Sequence, residues 1–374
     1  MRRSPAPIWQ GVHVLEAVML VGGKGTRLRP LTISAPKPML PVAGVPVTEH
    51  QIARAREAGV TRIVLGTSYR AEVFAEYFGD GEGFGVELKY VVEKVPLGTG
   101  GAIRNVVSAL ESGPDDPVII FNGDVLAGLD IAALVQAWRD ANADVALYLT
   151  RVEDPRAFGL VPTDSSGNVT AFLEKPQTPE EIVTDQINAG CYVFRRSLID
   201  QIPADRPVSV ERETFPQLLE AGAKVIGFVD DGYWLDLGTP LAFVQGSKDL
   251  VRGIAPSPAV PGEIGESLTL SGAQVAADAT LAGGTVIGRD ARVAAGAQVT
   301  GTVVFDGAQI AEDAVITDSV IGKGAVIGQR TILTGVVVGD GANIGSDNEL
   351  LEGVRVFPSA VIPADAIRNS SDQS

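Results

Sequence analysis

From Val275 to Ile362 the chain repeats an aliphatic side chain at six-residue intervals, and this period limits the possible folds more than any other feature. The series runs Val275, Leu281, Ile287, Val293, Val299, Val304, Ile310, Ile316, Ile321, Ile327, Leu333, Val338, Ile344, Leu350, Val356, Ile362. Three steps of five residues interrupt it, so Ile287, Val304, Ile321 and Val338 recur every seventeen residues. An α-helix returns to the same face near every 3.6 residues and cannot hold that period. A coil of three short strands can, with one inward aliphatic per strand stacked on the coil below. The pattern therefore predicts a parallel β-helix of roughly five coils. Gly288, Gly322 and Gly339 follow inward residues at the corners, where the expected need is for unusual φ angles.

The first 250 residues read differently. Short apolar strands alternate with helical patterns, as in an α/β layered domain. Strands are expected at Ala17–Val21, Arg62–Thr67, Glu87–Val92, Val118–Phe121 and Asp144–Thr150. Helices are expected at Thr48–Ala58, Ala71–Phe78, Gly101–Leu110 and Ile131–Ala141. Pro256, Pro258 and Pro261 mark a linker. The expected division is an extension at 1–13, a catalytic domain at 14–250, a linker at 251–262, the β-helix at 263–367 and a tail at 368–374.

Composition excludes several function classes. The formal net charge is −16, which argues against a broad polyanion-binding surface for nucleic acid or an anionic membrane. A single cysteine, Cys191, allows neither an intrachain disulfide nor a thiolate zinc site. Two histidines, His13 and His50, leave little for histidine-based catalysis. No apolar run is long enough for a membrane span, and no signal-peptide pattern opens the chain, so the expected location is the cytoplasm.

Against this acidic background Ala17–Thr48 contains no acid and four cations: Lys24, Arg27, Arg29 and Lys37. Gly22, Gly23 and Gly25 interleave with them directly after the first strand. Exposed loop amides with nearby cations make a phosphate cradle. It is neither the Rossmann fingerprint, since Leu28 stands where the third glycine would be, nor a P-loop.

The string GGKGTRLRPLT followed by PKP resembles the N-terminal motif of the sugar-1-phosphate nucleotidylyltransferases. Glu93-Lys-Val-Pro-Leu-Gly-Thr, Asn122-Gly-Asp, Phe158-Gly, Glu174-Lys-Pro, Asn188-Ala-Gly and Trp234-Leu-Asp-Leu-Gly-Thr-Pro follow in the family's order. The resemblance spans Glu16 to about Leu250. It implies a Rossmann-like nucleotidyltransferase domain with a mixed sheet, followed by a β-helix that is left-handed in the family. The implied reaction joins an NTP to a sugar-1-phosphate and releases pyrophosphate. It implies nucleotide contacts from Leu20, Gly22, Gly23, Lys24, Gly25, Thr26, Arg27, Glu93, Gly98, Thr99 and Asp124. It implies catalytic roles for Arg27, Lys37, Asp124, Lys175 and Asp236, and Mg²⁺ held by Asp124 and Asp236. Gly159, Glu174, Lys175 and Asn188 are the implied sugar-phosphate residues.

Glu93 bears on the base. A carboxylate only accepts, and guanine offers N1–H and its 2-amino group side by side. Relatives that use thymidine or uridine nucleotides place Gln there. EKVPLGTGGA, FNGDV, INAG and GYWLDLGTP most closely resemble the mannose-1-phosphate guanylyltransferases with a β-helix tail. GTP and mannose-1-phosphate are the expected substrates. A thymidylyl- or uridylyltransferase acting with dTTP or UTP on glucose-1-phosphate is the alternative. A non-catalytic regulatory subunit is a third possibility, which the intact basic and acidic motif residues disfavour. Acyl transfer by the β-helix is disfavoured because both histidines lie before residue 51. The β-helix is expected to serve a homo-oligomer contact.

Overall fold

The computed structural model describes residues 15–204 and 206–368. The expected extension at 1–13 lies outside them, as does nearly all of the expected tail.

The first domain is built on a nine-stranded mixed sheet. Its elements run β1 (Glu16–Leu20), α1 (Val47–Glu57), β2 (Arg62–Thr67), α2 (Ala71–Phe78), β3 (Glu87–Val92), α3 (Gly98–Asn105) and β4 (Pro117–Asn122). Then come β5 (Val125–Ala127), α4 (Ile131–Asp140), β6 (Val145–Arg151), β7 (Gly159–Leu160), β8 (Leu173–Glu174), β9 (Gln186–Arg195), β10 (Val225–Val229), β11 (Trp234–Asp236) and α5 (Pro240–Val251). β1 pairs in parallel with β2 on one side and β4 on the other. β3 extends the parallel run beyond β2. β9 pairs antiparallel with β4 and β6, which makes the sheet mixed.

The central strands read as continuous apolar runs because both faces are covered. Ala17 and Met19 pack toward α1, α2 and α4, through Ile52, Phe74 and Leu134. Val18, Val64 and Ile120 pack on the other face with Ile103 of α3 and Phe215. β1 begins one residue earlier than its apolar pattern. Glu16 is fully buried, paired with Arg62 and accepting from the Glu111 and Ser112 amides. α3 starts at Gly98 rather than Gly101 and ends at Asn105, and a separate 3₁₀ turn covers Val107–Ala109. Its glycines sit where the chain near Val208 comes close: a Cβ at Gly98 would lie 2.6 Å from the Val208 carbonyl oxygen.

The second domain stacks parallel strands into two six-stranded sheets and one five-stranded sheet, as a three-sided β-helix requires. Ile287, Val304, Ile321 and Val338 are at most 1% exposed, and each removes about 1.5–3 kcal/mol worth of apolar surface from water. Val275, Leu281 and Ile362, near the ends of the stack, are only partly covered. Thr285, Thr302 and Ser319 form an inner hydroxyl ladder, each accepting from the amide seventeen residues on.

The corner glycines have a different reason from the one expected. Gly288, Gly322 and Gly339 are absent from the positive-φ residues. They are required because the next coil passes too close for a Cβ. At Gly322 a Cβ would lie 2.6 Å from the Gly339 carbonyl carbon.

The β-helix lies against the first domain. Val286, Val303, Val320 and Val337 share a cluster with Leu28, Leu31, Leu40, Val42 and Phe243. Lys248 of α5 donates to Asp318 at 2.7 Å. Pro256 covers Gly128, and Ser257 meets His50 at 2.6 Å, so the Pro-rich segment is packed down.

Gly322→Ala should lower stability by about 1–3 kcal/mol, because backbone must move. Gly265→Ala, with ordinary φ and open space at its Cβ position, should stay within about 0.5 kcal/mol of the parent. Urea unfolding of both variants checks the difference.

Candidate active site

The strands β1, β2, β3 and β4 all deliver their following residues to one edge of the sheet. That edge, beyond the carboxyl ends of parallel strands, is where open α/β sheets bind ligands. A cleft of about 690 Å³ opens there. Its wall carries Leu20 at the end of β1 and Gly22, Gly23, Lys24, Gly25, Thr26 and Arg27 from the loop that follows. Lys37, Glu93, Gly98, Thr99 and Asp124 line it as well.

The glycine loop is shaped by space and by φ. Gly25 adopts φ 55°, and a Cβ there would come within 2.9 Å of the Lys37 Cβ. The Thr32 hydroxyl donates to the Gly25 carbonyl at 2.9 Å. Gly23 donates its amide to Ser68 Oγ at 3.3 Å. Lys24 and Arg27 are exposed on the cleft side. A 3₁₀ turn over Lys37–Met39 brings Lys37 back beneath the loop.

Lys37 joins two carboxylates from distant parts of the chain. Its Nζ donates to Asp124 Oδ2 at 2.9 Å and lies 3.5 Å from Asp236 Oδ1. Asp124 follows β4, and Asp236 ends β11, whose partner β5 begins just after Asp124. The pairing register sets Asp236 opposite Val125. Asp236 Oδ1 is buried and makes no hydrogen bond. Two adjacent carboxylates, one with an oxygen that makes no hydrogen bond and faces only the Lys37 ammonium at 3.5 Å, fit a divalent cation that takes its remaining ligands from substrate and water. Among the described residues no larger group of metal-ligating side chains gathers.

Glu93 lines the cleft beside Gly22, where a Cβ would lie 4.0 Å from its Oε2. Its amide donates to Thr67 at 2.7 Å, which fixes it just past β3. Glu93 Oε1 is buried without a partner. Burial raises its pKa above 4.5, and a bond from the Leu97 amide opposes the shift in part. The Thr99 hydroxyl donates to Glu211 and accepts from the Val210 amide, tying α3 to the 210–214 turn.

Gly159, Glu174, Lys175 and Asn188 form a second group off that wall. β7 and β8 pair Gly159 with Glu174, and the Glu174 carboxylate fills the space a Gly159 Cβ would need. Lys175 adopts φ 53° and lies 3.7 Å from Glu174. Asn188 donates to the Tyr192 hydroxyl at 2.9 Å and accepts from the Gly190 amide. Trp234 joins this group to Asp236. It stands two residues before Asp236 on β11, donates to the Ala189 carbonyl at 3.0 Å, and meets the Phe158 ring edge-on at 5.3 Å.

Ser68, Tyr69 and Gly238 also belong to the cleft, and residue patterns did not single them out. Ser68 carried one usable signal, its place directly after an apolar strand. A Cβ at Gly238 would lie 2.8 and 2.9 Å from Arg27 Nη2 and Asp236 Oδ2, so a side chain there would displace both groups. His50 is absent from the wall. It is buried between Val42 and Ser257, and burial lowers its pKa to about 4, so it stays neutral near pH 7.

Comparison with known proteins adds family information to this geometry. The nucleotidyl transferase family model matches residues 16–253, and the GMPPB C-terminal domain model matches residues 264–372. The mannose-1-phosphate guanylyltransferase of Mycobacterium tuberculosis (strain ATCC 25618 / H37Rv) is 56% identical over 361 residues, covering 96% of this chain and 99% of that protein. The mannose-1-phosphate guanylyltransferase catalytic subunit beta of Drosophila pseudoobscura pseudoobscura is 38% identical over 231 residues, covering 62% of this chain and 61% of its own length. The crystal structure of HddC from Yersinia pseudotuberculosis complexed with GMP-PN matches with a TM-score of 0.54 and 27% identity, over 63% of this chain and 99% of that one.

Lys37→Met removes the cation that competes for both oxygens. Mn²⁺ alone, titrated without nucleotide, should bind the variant about tenfold more tightly than the parent. Equal or weaker binding would show that Asp124 and Asp236 do not share an ion.

Proposed function

The chain belongs to the nucleotidyl transferase family, and on that premise we propose that it converts GTP and mannose-1-phosphate to GDP-mannose and pyrophosphate. The match to the M. tuberculosis enzyme over nearly the whole of both chains supports this reaction. The observation that carries the choice of base is the Glu93 carboxylate on the cleft lining, whose Oε1 has no hydrogen-bond partner in the protein. Guanine supplies two adjacent donors to such a carboxylate.

The chemistry needs no enzymatic base. An oxygen of the sugar phosphate is already ionised and attacks the α-phosphorus in line. The new O–P bond forms as the bond to the β-phosphate oxygen breaks, and pyrophosphate leaves with that electron pair. Catalysis is then positioning and charge neutralisation. Lys24 and Arg27 take the β- and γ-phosphates, with the loop amides of Gly22 and Gly25. Lys37 neutralises charge at the reacting phosphate, and Lys175 takes the phosphate of the incoming sugar. Gly159, Glu174 and Asn188 face the hydroxyls. Asp124 and Asp236 hold the divalent ion, assigned as Mg²⁺ because that ion works with few protein ligands. When bound, it withdraws charge from the phosphate oxygens.

The test is a panel of GTP, dTTP, UTP and ATP against mannose- and glucose-1-phosphate, read as pyrophosphate release. GTP with mannose-1-phosphate should give the highest kcat/KM; a preference for dTTP and glucose-1-phosphate overturns the assignment. Glu93→Gln should lower kcat/KM for GTP on the order of tenfold to a hundredfold. The parent's affinity for GTP should also fall as pH drops through the raised Glu93 pKa, above 4.5. Above that value the carboxylate accepts both guanine donors; below it the protonated acid meets them with a donor of its own. Glu93→Gln should lose this dependence, and a profile identical to the parent's would exclude Glu93 from base recognition.

Subunit contact through the β-helix belongs to the same proposal. Phe357, Val361 and Ile367 are 54%, 72% and 41% exposed near its far end. Exposed large apolar side chains on the last coil suit an interface there. Phe357→Asp with Val361→Asp should reduce the mass measured by sedimentation; an unchanged mass would move the contact elsewhere.

A further inference from the structure

The β-helix presents one outward column of side chains to the catalytic domain. Strand register aligns Leu268, Val286, Val303, Val320, Val337 and Arg355, one per coil. The first five are aliphatic and buried in the cluster that also holds Leu28 and Leu31 of the phosphate loop region. The column changes chemistry at its last rung. Arg355 Nη1 donates to the carbonyl of Arg27 and to the carbonyl of Arg29, each at 2.8 Å.

Those two carbonyls flank Leu28, which is 1% exposed. They lie at the end of the short 3₁₀ turn Thr26–Leu28, whose own bonds are spent on Gly25 and Thr26 carbonyls. Carbonyls at the end of a helical turn lack partners along the chain, and a basic side chain can supply them. A lone exposed contact of this kind is worth little. Here one guanidinium nitrogen fixes two carbonyls on either side of a buried anchor. The residue between the anchor and Thr26 is Arg27, whose Nη2 lies near Gly238 and Asp236.

We propose that Arg355 is a positioning residue: from the β-helix it fixes the backbone of the phosphate loop so that Arg27 is aimed at the β- and γ-phosphates. This rests on the role given to Arg27 above and adds a function for the second domain in catalysis. Arg355 touches no substrate. Its effect reaches only the part of the reaction that Arg27 handles, the triphosphate and the departing pyrophosphate. The sugar-phosphate group around Glu174 and Asn188 hangs on β7, β8 and β9, which the Arg355 contacts do not reach.

The test uses the full chain with Arg355→Ala and Arg355→Lys. Arg355→Ala should raise KM for GTP, and for pyrophosphate in the reverse direction, about fivefold to tenfold. KM for mannose-1-phosphate should stay within about twofold, and the melting temperature within about 2 °C. Arg355→Lys keeps a cation that can donate to both carbonyls, so it should recover at least half of the loss. Unchanged KM for GTP and pyrophosphate in Arg355→Ala overturns the proposal. So does a parallel rise in both substrates' KM with a fall in melting temperature and no recovery by lysine, the mark of a merely structural contact. A parent enzyme that prefers another nucleotide refutes the substrate assignment, and the same comparison is then read with that nucleotide.

Discussion

The site depends on the parallel pairing of β1 with both β2 and β4. Parallel neighbours end at the same edge, so whatever follows each strand is gathered there. The glycine loop, Ser68 and the Asn122-Gly-Asp turn are drawn from segments up to a hundred residues apart, and the sheet alone makes them adjacent. β5 then carries the geometry one step further. By pairing with β11 it brings Asp236 to Asp124, with Lys37 between them. A slip of one residue in that short ladder would turn Asp236 to the other face.

The arrangement solves an electrostatic problem. Two phosphorylated reactants repel each other, and a chain of net −16 would repel both. The positive charge is therefore concentrated rather than spread. It sits on one loop and on Lys37, with exposed loop amides adding partial positive charge without adding side chains. Lys37, 2.9 Å from Asp124 and 3.5 Å from Asp236, also offsets the repulsion between the two acidic groups.

Much of this was legible in residue order, and the exceptions share a cause. The six-residue aliphatic period specified stacked coils, because burial of one residue per strand is a local rule repeated many times. The glycine loop and Asp124 were legible because each directly follows an apolar strand. Ser68, directly after β2, and Gly238, inside the Trp234–Pro240 motif, were legible in position but not in reason, which is a tertiary contact with Gly23, Arg27 or Asp236. The corner glycines show the same limit. Their positions were legible, but the cause is the neighbouring coil's backbone rather than their own φ. α3 starts three residues before the expected Gly101, where Gly98 and Gly100 leave room for Val208 to pack against the first turn.

The seventeen-residue repeat has a consequence beyond stability. Stacked strands advance by about 4.8 Å per coil, so the number of coils sets how far the outward column extends along the catalytic domain. Removing one coil would leave every remaining coil well stacked and would still bring its last rung up one step short of the Arg27 and Arg29 carbonyls. The β-helix is thus a ruler as well as a scaffold, and its length is tied to a loop more than three hundred residues earlier in the chain.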